Sequence, residues 1–128
     1  GLDAYQLAVV VDDAWQGVNR VVRGSDLLDS TARQIYLQQL LGYPTPQYSH
    51  FPLITDQQGH KFSKQTHATA VEKHSASANL RSALRFLRQE PPPKTALSIT
   101  DILEFASQHW SSQRIPAVQA IPADTIAP

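Results

Sequence analysis

Three places in this 128-residue chain carry residue types suited to holding an anion. The pentad Lys61-Phe62-Ser63-Lys64-Gln65 sets two ammonium groups three residues apart, with a hydroxyl between them, just after a Gly-bearing turn. Such a group can face one small target, and charge developing on a phosphate is a natural one. The alternative is a solvated basic turn, and spacing alone does not separate the two. Arg23 follows Val21-Val22 and precedes Gly24. If those residues form a parallel strand, its guanidinium stands at the carboxyl end, before a helix N-terminus, where open α/β sheets bind ligands. A planar fork there suits a carboxylate; the alternative is surface pairing with Asp26 or Asp12. Tyr5 either adds a phenolic hydrogen bond to the same ligand or merely packs.

These residues need elements to position them. Tyr5 to Val11 is a short β-branched run that reads as a strand covered on both faces, ending at Asp12-Asp13. Val18 to Arg23 reads as a second strand, stopped by Gly24. Asp29-Ser30-Thr31 supplies N-cap chemistry for a helix with Ala32, Ile35, Tyr36, Gln39 and Leu40 on one face. Gly42 closes it, ahead of Pro44 and Pro46. His50 to Ile54 reads as a further strand, with Pro52 marking an edge or bulge, and Asp56-Gln57-Gln58-Gly59 as a turn. His60 to Ala76 is a polar loop without periodicity. Beyond it Leu80, Ala83, Leu84 and Leu87 follow helical spacing, capped by Ser77 or Asn79 and stopped by Pro91-Pro92-Pro93. A second helix starts near Ser98, where Ser98 and Asp101 form a capping box and Ile102, Leu103, Ala106 and Trp110 an apolar stripe. The last dozen residues read as an extended, Pro-bearing tail.

Composition bounds the rest. With 41% hydrophobic and 17% charged residues the chain reads as an ordinary globular one, with no apolar stretch of membrane-spanning length, and the start Gly-Leu-Asp-Ala has none of the basic-then-apolar grammar of a secretory signal. Cytoplasm is the default location. The absence of Cys removes disulfides, thiolate nucleophiles and Cys-ligated zinc. Zero net charge argues against a purely electrostatic nucleic-acid binder. His50, His60, His67, His74 and His109 have no metal-ligand spacing and read as surface or polar-packing residues. Trp15 and Trp110 read as core or domain-contact aromatics. No initiator Met precedes Gly1, and an apolar run follows almost at once, so a fragment is expected.

Several ordered motifs together carry a resemblance. Tyr-Gln-Leu-Ala-Val-Val-Val-Asp-Asp from Tyr5, Arg-Gly-Ser-Asp-Leu-Leu-Asp-Ser-Thr from Arg23, His-Phe-Pro-Leu-Ile from His50 and Lys-Phe-Ser-Lys-Gln from Lys61 resemble the second half of a class I glutamyl-tRNA synthetase catalytic domain. The pentad is similar to the KMSKS signature of that class. Phe62 replaces the usual Met or Leu and Gln65 the final Ser. Within the family, the Arg23 and Lys61 segments most resemble the bacterial branch without an anticodon-binding domain. The short, Pro-rich remainder after Lys64 supports that branch.

The resemblance implies an α/β fold: residues 1–60 as the second half of a Rossmann-like catalytic domain, 61–76 as the KMSKS-like loop region, and 77–128 as a small all-α C-terminal region. It implies Tyr5 and Arg23 as glutamate-binding residues. It implies Lys64 as the ATP-contacting lysine, with Lys61 and Ser63 in the same loop and Asp26 second to these. It implies a ligase that activates glutamate with ATP and magnesium to glutamyl-adenylate, then transfers it to the queuosine of tRNA(Asp). The HIGH-like ATP motif and the zinc-binding insertion belong to an absent N-terminal half. The chain alone is therefore expected to be inactive and to hold no metal, and the protein to be a monomer off the membrane. An ordinary glutamyl-tRNA synthetase cut before its anticodon-binding domain, or a non-catalytic synthetase-like binding module, stands as the alternative.

Overall fold

The stretch expected as the first strand is a helix. In the computed structural model, which describes residues 2–62 and 73–126, α1 runs over Leu2–Trp15. A short apolar run cannot be assigned to strand or helix by periodicity alone. Here three consecutive valines cost a helix only about 0.5 kcal/mol each, and Leu2, Ala4, Leu7 and Ala8 are good helix formers. Burial decides the matter: Gln6 and Val10, one turn apart, are buried, while Leu7 and Val11 are exposed. That is helical periodicity, and it is set by packing against the next helix.

The second expected strand forms as β1 (Arg20–Gly24). A 3₁₀ turn over Ser25–Leu27 leads into α2 (Leu28–Leu41), and β2 (Gln47–Phe51) returns parallel to β1. This is a βαβ unit, in register Val21 to Tyr48 and Arg23 to His50. The helix begins ahead of its expected caps, because their hydroxyls are engaged in tertiary bonds. Ser30 Oγ accepts from Gln6 Nε2 at 3.2 Å, and Thr31 Oγ1 accepts from Arg23.

The face of α2 turned inward is Thr31, Gln34 and Gln38, whereas Tyr36 and Leu40 of the expected apolar stripe are 61% and 64% exposed. The amide nitrogens find partners: Gln34 Nε2 donates to Gln6 Oε1 at 2.8 Å and Gln38 Nε2 to the Tyr48 hydroxyl at 2.9 Å, while the buried Gln38 Oε1 accepts no hydrogen bond among the described residues. Gly42 ends α2 at φ +69°, with the Tyr43 N–H donating back to the Gln38 carbonyl at 2.9 Å. An added Cβ there meets nothing within 4 Å, so the cost of a side chain is purely conformational. Gly42→Ala is therefore expected to lose about 1 kcal/mol, read as a lowered Tm.

The chain divides into two compact units, Gly1–Phe51 and Pro52–Pro128. Pro52, which has no N–H to give a ladder, splits the strand expected over His50 to Ile54. Beyond it β3 (Leu53–Thr55) belongs to the second unit. Its partner lies in the tail: β4 (Ala120–Pro122) runs parallel to it, so the region expected to be all-α contains a strand. A three-residue strand paired with a segment more than sixty positions away leaves no local pattern to read.

Between them lie α3 (Ala76–Phe86) and α4 (Ile99–Gln108), packed on one another. Leu84, Ala96, Ile102 and Ala106 form the core of this unit, with Leu80 against it. Leu103 and Trp110, expected on the same stripe, are half exposed. The capping box is present in full. The Asp101 N–H donates to Ser98 Oγ and the Ser98 N–H to Asp101 Oδ2, both at 3.1 Å. Hydrogen bonds from Ser98 hold the Asp101 carboxyl below the usual carboxylate range.

Helix α3 stops at Phe86, before the proline run. The Gln89 N–H reaches the Leu84 carbonyl at 2.8 Å and the Arg88 N–H the Arg85 carbonyl at 2.9 Å, with Arg88 at φ +53°. These are the two bonds of a Schellman turn. Among the described residues no helix is long and apolar enough to cross a membrane.

Candidate functional site

Arg23 occupies the next-to-last position of β1, and the parallel register sets His50 of β2 beside it. Alternation along β2 puts Tyr48 on the same face as His50. Helix α2, crossing between the strands, presents Thr31 from its first turns. These three side chains cradle the half-buried guanidinium. Arg23 Nη2 donates to Thr31 Oγ1 at 2.6 Å, and Arg23 Nε approaches His50 Nε2 at 3.5 Å. The guanidinium carbon stands 5.2 Å from the centroid of the Tyr48 ring, in cation–π range. Tyr48 in turn lies nearly parallel to the His50 ring, 6.5 Å between centroids.

His50 Nε2 is also 2.9 Å from Thr31 Oγ1. Desolvation by burial, and then the charge of Arg23, lower the His50 pKa below its ordinary value. A neutral ring is the form that tolerates a permanent cation at this distance. With its proton on Nδ1 it offers the Nε2 lone pair to both donors, a tautomer assigned from these partners. The result is a fixed cation at the carboxyl end of a parallel strand, held from behind by a hydroxyl, an imidazole and an aromatic face. It is suited to grip a carboxylate.

The other expected site residues are distributed as follows. Asp26 lies on the 3₁₀ turn directly after β1 and is exposed. Tyr5 lies on α1 with 63% of its surface exposed, and no hydrogen bond links it to Arg23 among the described residues. Lys61 belongs to the second unit, where it bridges antiparallel to Thr55 across a tight turn.

That turn is built as its composition requires. The Asp56 N–H donates to the His60 carbonyl at 2.9 Å, the His60 N–H to Asp56 Oδ1 at 2.8 Å, and Gly59 adopts φ +84°. The His60 N–H is the main cause holding the Asp56 carboxyl below its ordinary range. Lys61 is thus delivered on a defined, exposed hairpin. Ser63 and Lys64 lie outside the described residues. Among those described, no three His, Asp or Glu side chains group so as to hold a metal ion.

Thr31, Tyr48 and His50 were not singled out for function from the sequence. The available signal is the alternation Tyr48-x-His50 on the strand beside Arg23, visible only once the two strands are known to pair in that register.

A βαβ unit with this arginine at its strand end, followed by a tight turn that opens a Lys-x-Ser-Lys segment, is matched by a known family. The model for tRNA synthetases class I (E and Q), catalytic domain, covers residues 1–107, and the chain belongs to that family. Curated proteins named glutamyl-Q tRNA(Asp) synthetase are among those the chain resembles. One from Thiobacillus denitrificans is 53% identical over 126 residues, covering 96% of this chain and 42% of the relative. One from Pseudomonas aeruginosa is 48% identical over 127 residues, covering 98% of this chain and 43% of the relative. One from Neisseria gonorrhoeae is 52% identical over 116 residues, covering 91% and 39%. The chain spans about two fifths of the length of these relatives.

Proposed function

We propose that this chain supplies part of the active site of a ligase that activates glutamate with ATP to glutamyl-adenylate and esterifies it to the queuosine of tRNA(Asp). The observation that carries the reading is identity of about half, over nearly the whole chain, with proteins bearing the glutamyl-Q tRNA(Asp) synthetase name. The cradled Arg23 supports it from the side of chemistry. On this reading βαβ residues 20–51 belong to the second half of a Rossmann-like catalytic domain, and a longer, monomeric cytoplasmic protein completes the site.

Arg23 holds a carboxylate of glutamate, with the Tyr5 hydroxyl a further donor to it and Asp26 near the amino-acid end of the site. The reacting carboxylate oxygen attacks the α-phosphorus of ATP in line, the bond to the bridging oxygen breaks, and pyrophosphate leaves with the electron pair. No protein nucleophile takes part, so catalysis is positioning and charge neutralisation. Lys61 and Lys64, with the Ser63 hydroxyl between them, neutralise charge that accumulates on the phosphates. Magnesium would arrive with the nucleotide, since the described residues offer no cluster of ligands to hold it. Zinc is assigned to the part of the protein outside this chain.

The test is glutamate-dependent ATP–pyrophosphate exchange by the full-length protein without tRNA. Wild type is expected to exchange, and Lys64→Ala to lose about 10²-fold while remaining folded. Absence of exchange in the wild type, or full exchange in a folded Lys64→Ala variant, rejects the reading or the role of the lysine respectively.

A further inference from the structure

Arg88 is the non-glycine residue with a left-handed backbone among those described, at φ +53°. Glycine closes a Schellman turn of this kind without the crowding of a Cβ atom. An arginine kept in that conformation directs attention to what its side chain does. Arg81, Arg85 and Arg88 follow i, i+4, i+7 spacing, and all three line a single cleft of about 300 Å³ whose remaining walls are Gln89, Pro91 and Pro92.

Their duties differ. Arg81 is committed to structure: Nη1 donates to the Pro92 carbonyl at 2.8 Å and Nη2 to the Pro93 carbonyl at 3.0 Å, which ties the proline wall to the helix. Arg85 and Arg88 are exposed, and among the described residues neither enters a salt bridge. The neighbouring carboxylate, Glu90, is engaged by Arg114 at 3.6 Å. Arg85 in the last turn of α3 also complements the helix dipole, but Arg88 lies beyond the helix, where that role ends. What remains is a cleft with two guanidinium forks and an apolar proline flank. Forks of this geometry match phosphate oxygens bidentately, and a cleft this size admits one phosphodiester with its ribose.

We propose that the Arg85–Arg88 cleft binds the phosphodiester backbone of the RNA that this synthetase acts on. The proposal rests on the functional reading above for the identity of that RNA. Chain neutrality is no obstacle, because the cation density is local to one end of α3.

The experiment is binding of tRNA(Asp) to the full-length protein, by fluorescence anisotropy across a sodium chloride series, for wild type, Arg85→Ala and Arg88→Gly. Each variant is expected to bind roughly three- to tenfold more weakly, with the slope of log K against log salt shallower by about one. Arg88→Gly relieves the left-handed strain while deleting the cation, so its Tm is expected not to fall, and lost binding cannot be ascribed to unfolding. Exchange without tRNA is expected at the wild-type level in both variants. Unchanged affinity and salt slope in both overturn the assignment. Loss of tRNA-free exchange in either also overturns it, since the cleft would then serve the nucleotide. Failure of the functional reading is seen separately, as a wild-type protein that lacks glutamate-dependent exchange whatever its RNA affinity.

Discussion

Arg23→Ala in the full-length protein is expected to lower kcat/KM for glutamate in ATP–pyrophosphate exchange by roughly 10²- to 10³-fold, mostly through KM. A charge-assisted, forked contact to a carboxylate contributes a few kcal/mol when both groups are partly withdrawn from water. Arg23→Lys is expected to recover little. An ammonium is a point charge that cannot reach Thr31 and a ligand at once, nor spread its charge over the Tyr48 ring as a guanidinium can. The loss should stay confined to function. Arg23 is only half-buried, and the single Thr31 hydroxyl proton still finds an acceptor in His50 Nε2 or the Leu27 carbonyl. Circular dichroism and a Tm close to wild type would show this. Steady-state exchange against glutamate concentration decides the matter, and an Arg23→Ala variant with unchanged KM and kcat removes the residue from the site.

The second large effect concerns stability. Ile102 is fully buried at 0% exposure, in a core whose other members are Leu84, Ala96, Ala106 and the partly buried Leu80. Two of those neighbours are alanines, which have no side-chain freedom with which to fill a gap. Ile102→Ala is therefore expected to cost about 3–4 kcal/mol, in the upper part of the range for such truncations, and Ile102→Val about 1 kcal/mol. Urea unfolding should show a lower midpoint with an unchanged slope for both. A loss under about 1 kcal/mol for Ile102→Ala would mean that the α3–α4 contact is not the core of this unit.

Local signals proved reliable where they were self-contained. The Ser98–Asp101 box, the left-handed Gly42 and the Asp56–Gly59 turn each involve groups within a few residues, so their bonds do not wait on the rest of the fold. Strand β1 was legible for a similar reason: a β-branched pair framed by arginines and stopped by glycine leaves few alternatives. The first segment was not legible because its valines satisfy a buried strand and a buried helix equally well. Only the burial of Gln6 and Val10, with α1 packed on α2, distinguishes them.

The inward face of α2 was likewise hidden. Hydrophobicity pointed to Tyr36 and Leu40, yet paired glutamines are buried instead, which becomes tolerable only when partners such as Gln6 and Tyr48 arrive from elsewhere in the chain.

For the candidate site the division is similar. The sequence by itself determined the chemical inventory: an arginine at a strand end, a basic Lys-x-Ser-Lys segment after a turn, no cysteine, and an ordered set of motifs sufficient for the family. Tertiary structure alone decided what surrounds that arginine. Parallel register brings His50 level with it, strand alternation adds Tyr48, and the crossover helix lowers Thr31 onto it. The physical reason is range. Residue types, caps and turns are properties of neighbours in the chain, whereas the pKa of His50 and the grip on Arg23 come from groups 8 to 27 residues apart, and their meeting is a property of the fold.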